Sequence, residues 1–146
     1  MLSPAESLLL RYLGSEQARH DGEAAADLAR EATAAGLGSL CKKSIERWLV
    51  AFEGGQYRDL RQLAEDAGEN SGEILALACA PSVQPGFDEA RGSVATIRTK
   101  SLRARLRALQ EEIDNARDPD AQGRLAQEKV HLVREIQGLG SAPEAH

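Results

Sequence analysis

The sequence predicts an all-α protein: an N-terminal helical bundle of about five to six helices, followed by a long antiparallel C-terminal helical hairpin. Three observations carry that expectation. The apolar content is 24 Ala and 19 Leu against 5 Ile and 5 Val, so it is helix-forming and hardly β-branched. Gly and Pro fall between periodic segments, where they end helices. From residue 87 onward the Leu and Ile positions step by four and three in two successive runs, the mark of paired helices.

Each element has its own punctuation. Ser3, Pro4 and Glu6 form a capping box with Pro at the first helical position, opening a helix that runs to about Leu13. Asp21 caps an Ala-rich helix with Leu28 as its largest apolar residue, ending at Gly36. The next helix starts near Leu40 and carries Ile45, Trp48, Leu49 and Phe52 before Gly54 and Gly55 stop it. Trp48, the only tryptophan, is the candidate centre of the core. Leu60, Leu63, Ala64 and Ala67 define a fourth helix ending at Gly68, and Asn70 with Glu73 reads as a second capping box opening a fifth through Ile74, Leu75, Leu77 and Ala78. Pro81, Pro85 and Gly86 then break the chain, closing a bundle at 1–86.

The second region, 87–140, is different in kind. Leu102, Leu106, Leu109 and Ile113 make a heptad seam that Val94 and Ile97 extend upstream, on a helix of about 40 Å. Asp118 and Pro119 open a returning helix whose Leu125, Lys129, Leu132, Ile136 and Leu139 form the opposing seam, with Lys129 interrupting it. Gly92 offers a point at which the long helix could break. The small polar tail at 141–146 is expected to be disordered.

Composition excludes several function classes. A net charge of −5 argues against nucleic-acid binding over the whole surface, and no apolar run approaches the roughly 20 residues of a membrane span. Cys41 and Cys79 lack metal-ligand spacing and read as two half-buried thiols of a cytoplasmic protein. Of the histidines, His20 falls in a loop, His131 at the flank of the second seam and His146 at the terminus. Glu111 and Glu112 point about 100° apart on a helix, and the glycines follow helices instead of preceding them, so no catalytic pair, phosphate loop, metal or cofactor is expected.

One charge feature rises above this background. Arg91, Arg98, Lys100, Arg103, Arg105 and Arg107 lie in a window, 91–110, without Asp or Glu, so the window is +6 and the rest of the chain −11. Three readings fit it: cations paired with nearby acids such as Glu111 and Glu112, a nucleic-acid stripe, or a docking surface for an acidic protein.

The order of parts brings a resemblance into view. A small helical body, a Pro/Gly break, the basic helix TIRTKSLRARLRALQEEIDNA, the loop DPDAQ and the returning helix GRLAQEKVHLVREIQGLG resemble the C-terminal domain of bacterial DNA primase. The opening LSPAESLLLRYL and the segment FEGGQYRDLRQLAEDAG resemble parts of that domain's helical body. The resemblance implies a non-catalytic interaction domain of an enzyme that synthesises primers. Its partner would be the N-terminal domain of the replicative DNA helicase, and the acidic tail of single-strand DNA-binding protein a further one. On this reading the docking residues are Val130, His131, Leu132, Val133, Arg134 and Ile136, of which Val130 and Val133 are offset from the seam. Two alternatives stand beside it: a nucleic-acid-binding module using the basic helix 91–107, and a homo-oligomeric coiled-coil scaffold.

Overall fold

The computed structural model describes residues 2–79 and 84–141. Among them are eight α-helices, one 3-10 turn and no strand: α1 Pro4–Leu13, α2 Glu16–His20, α3 Gly22–Ala35, α4 Ser39–Glu53, α5 Leu60–Ala67, the 3-10 turn Gly68–Asn70, α6 Ser71–Cys79, α7 Phe87–Asn115 and α8 Pro119–Ser141. The expected break at Pro81 and most of the expected tail, 142–146, lie outside the described residues.

The chain divides into two compact units, 1–97 and 98–146, and the division falls inside α7 rather than at the Pro/Gly segment. The reason is visible in the packing. Ala90, Val94 and Ile97, from the first turns of α7, are buried in the same core as α1, α3 and α4, so the upstream extension of the seam belongs to the first unit. The helix is continuous through Gly92.

The first unit is assembled around α1, α3 and α4. The Ser3 hydroxyl accepts from the Glu6 amide at 3.1 Å, and Glu6 Oε1 accepts from the Ser3 amide at 2.9 Å, which completes the expected capping box. Ala25, Ala26, Ala29 and Ala32 are fully buried on one side of α3. Their methyl groups let α3 lie close against α4. Gly36 ends α3 at φ 102°, a left-handed conformation that glycine adopts without steric cost. Gly22 is needed for another reason, because a Cβ there would stand 2.6 Å from Phe52 Cε1. Trp48 sits in this core as expected, its ring stacked on Phe52 at 5.6 Å and its indole N–H donating to the Leu13 carbonyl at 3.0 Å.

Several local expectations need correction. Ser15 caps a short helix, α2, that was not anticipated, and His20 is its last residue instead of a loop residue. Asp59 and Gln62 form an unpredicted capping box on α5. Asn70 is not an N-cap: it closes the 3-10 turn that runs directly into α6, so its backbone is helical where a cap would be extended. The two cysteines are unlike each other, Cys41 being buried and Cys79 exposed.

In the second unit, Leu109 and Leu132 are buried and Leu102, Leu106, Ile113, Leu125 and Ile136 half-buried. Asp118 accepts from the Asp120 amide at 3.2 Å, opening α8 with Pro119 at its first position.

Candidate protein-docking interface

On α8 the residues sort by helical phase. Leu125, Lys129, Leu132 and Ile136 recur at four, three and four residues and so share a face. That face meets the second half of α7: Arg105 and Leu109 line one small depression of about 130 Å³ with Glu128, His131, Leu132 and Glu135. Lys129 does not pass its charge out to solvent alone. Its ammonium donates to the Gln110 side-chain carbonyl, and Gln110 Nε2 donates in turn to Asp114 at 2.9 Å. A polar tie across an otherwise apolar seam fixes one register, because any slip strands the lysine.

Val130 lies about 130° from the centre of that seam, and Val133, four residues after Lys129 and three before Ile136, borders it at about 70°. Val130 is 50% exposed, Val133 half-buried, and His131 and Arg134 are exposed beside them. A shallow depression of about 430 Å³, lined by Arg124, Gln127, Glu128, Val130 and His131, opens on this outer side. The six expected docking residues are thus not one cluster. Leu132 and Ile136 are engaged in the seam and Val133 borders it half-buried, while Val130, His131 and Arg134 are exposed.

The basic window also resolves into parts. Arg91, Lys100, Arg103, Arg105 and Arg107 are exposed and Arg98 is half-buried. The ion pairs of Arg30 with Asp27 and Glu53, and of Arg58 with Asp66, involve none of the six window cations. Seven residues return a helix to within about 20° of the same direction, so Arg91, Arg98 and Arg105 share one side and Lys100 and Arg107, with Arg103 near them, share the other.

A concavity of the first unit, about 410 Å³ and lined by Glu6, Gly38, Cys41, Lys43, Ser44 and Arg47 among others, is built around a structural carboxylate. Glu6 is buried; beyond its own cap it accepts the Gly38 amide at 2.8 Å through Oε2. Gly38 has no side chain to cap α4, and the Glu6 carboxylate reaches over from α1 to accept the Gly38 amide itself, placing negative charge at the start of the helix. The Cys41 thiol lies against the same carboxylate; burial first, then the Glu6 charge, push its ionisation far up, so it is held as the unreactive thiol. Sequence reasoning gave Glu6 only its local cap, because the second bond spans 32 residues.

The described residues form an all-helical fold, and no helix among them is long and apolar enough to cross a membrane. Among those residues, no group of three or more His, Cys, Asp or Glu is placed to hold a metal ion. In comparison with known proteins, no family model, curated protein or solved structure matches the chain.

Proposed function

We propose that this chain is a protein-interaction domain of the kind found at the C-terminus of bacterial DNA primase: a helical bundle with a long antiparallel hairpin that docks on the N-terminal domain of the replicative helicase. The observation that supports it is the apolar surface of α8 beyond its seam. A helix that serves only its own seam needs one apolar face, yet Val130 stands half exposed well away from it, and the half-buried Val133 extends the apolar surface from the seam toward Val130. An exposed Val130 beside the half-buried Val133, flanked by His131 and Arg134, has the makeup of a small docking patch, apolar at its centre and polar at its rim.

On this reading the chain performs no catalysis of its own and works in the cytoplasm by holding primer synthesis to the replication fork. Leu132 and Ile136 act indirectly, by fixing the helix that presents the valines. Replacing Val133 and Arg134 together with alanine is expected to leave the helical circular dichroism intact. It should weaken binding to the helicase N-terminal domain by about 1–3 kcal/mol. Unchanged affinity in a calorimetric titration would remove the assignment.

A further inference from the structure

Lys100, Arg103 and Arg107 lie within one half-turn of each other around α7, and all three are exposed. Thr96 and Ala104 on the same side are exposed as well, whereas Leu102, Leu106 and Leu109 point to the seam and are half-buried or buried. None of the three cations has an ion-pair partner among the described residues. The stripe belongs wholly to the second unit.

We propose that this stripe binds the phosphate backbone of a nucleic acid. Lys100 and Arg107 are seven residues apart, which on an α-helix is about 10 Å. One strand of a duplex carries a phosphate about every 3.4 Å along its axis, so the three cations are spread over the axial length of about four successive phosphates. The face carries no large apolar side chain and no aromatic. An acidic peptide would therefore find charge there but no pocket to anchor it, and bases would find nothing to stack on. Recognition is consequently of the backbone alone: independent of sequence, open to single and double strands, and sensitive to salt. The acidic total of the chain keeps the affinity in the non-specific range, with a Kd of about 10⁻⁴ to 10⁻⁶ M. This site is separate from the α8 docking face and does not rest on it.

The test is fluorescence anisotropy with a labelled 20-nucleotide single strand and the corresponding duplex. Three released counterions predict that binding weakens about 20-fold for the single strand and about 40-fold for the duplex between 50 and 200 mM salt. Combining Lys100→Gln, Arg103→Gln and Arg107→Gln should abolish measurable binding at the higher salt while the circular dichroism and sedimentation stay unchanged. Lys42→Gln with Lys43→Gln, exposed cations of α4, should leave binding as it was. Preference for one of the two strand forms identifies the source of the backbone and supports the proposal. Undiminished binding by the triple variant, or no binding by the parent chain at 50 mM salt, overturns it. So does a decaglutamate peptide that binds more tightly than either oligonucleotide, which would make the stripe a protein site.

Discussion

The two units of this chain reach stability by different means. In the first, Leu9, Leu10, Tyr12, Leu13, Ile45 and Trp48 are all essentially removed from water; the Trp48 indole and the Tyr57 hydroxyl donate to carbonyls within the unit, and the buried Tyr12 hydroxyl has no partner among the described residues. In the second, the described side chains that are buried are Leu109 and Leu132, and a Lys129–Gln110–Asp114 chain occupies part of the seam. A globular core maximises area removed from water, while two paired helices give up area for length and for two outward faces. The contrast shows why the small aromatic content is tolerable: nearly all of it is concentrated where the core is three-dimensional, with Tyr12 edge-on to Phe87 and Trp48 stacked on Phe52.

The largest test of that contrast is Trp48→Ala. It should cost about 3–5 kcal/mol in urea unfolding followed by circular dichroism, since it opens a cavity and leaves the Leu13 carbonyl without its indole donor. Leu132→Ala should cost about 2 kcal/mol in the second unit and leave the Trp48 fluorescence transition where it was. A joint shift of both signals would mean that the units unfold as one. Gly92→Ala comes next: an added Cβ meets nothing within 4 Å, so the change should stabilise α7 by about 1 kcal/mol, read from the thermal midpoint.

Lys129→Leu should have a smaller effect on stability, a gain below about 1 kcal/mol, because the seam becomes continuous. Its cost should appear in sedimentation as self-association or mixed registers, which would show that the polar tie specifies pairing. Smallest at neutral pH is the contribution of Tyr57, whose hydroxyl donates to the Ser15 carbonyl at 2.9 Å. Burial first, then the charges of Asp59 and Glu16, raise its ionisation from 10.0 to about 12. The neutral phenol is the form the fold prefers, so its contribution is complete below pH 10 and is lost as the pH rises through about 12. Tyr57→Phe should flatten thermal stability across that interval.

Local signals in the sequence translated well into local structure. The Ser3 box, the Asp21 cap, the Gly36 stop and the Trp48 stripe depend on residues a few positions apart, and each is found where the spacing places it. Asp59 and Gln62 carried the same kind of signal as Ser3 and Glu6 and were passed over beside the stronger apolar run that follows. Asn70 misled because a helix can begin by tightening a preceding 3-10 turn, which needs no extended cap. Ion pairing on the basic helix was out of reach, since no spacing rule tells whether an arginine meets an acid or water. The outward direction of Val130 was legible from helical phase alone, and its significance was not.

Glu6 carries a consequence for the order of assembly. The Gly38 amide finds its acceptor in a side chain 32 residues earlier, not in its own loop. Until α1 has come into place, the Gly38 amide at the start of α4 has no side-chain acceptor and the first turn frays as short helices do. The first turn of α4 therefore waits on a tertiary event, and the exchange of the Gly38 amide with deuterated water should report the docking of α1, slow in the parent chain and fast in Glu6→Ala.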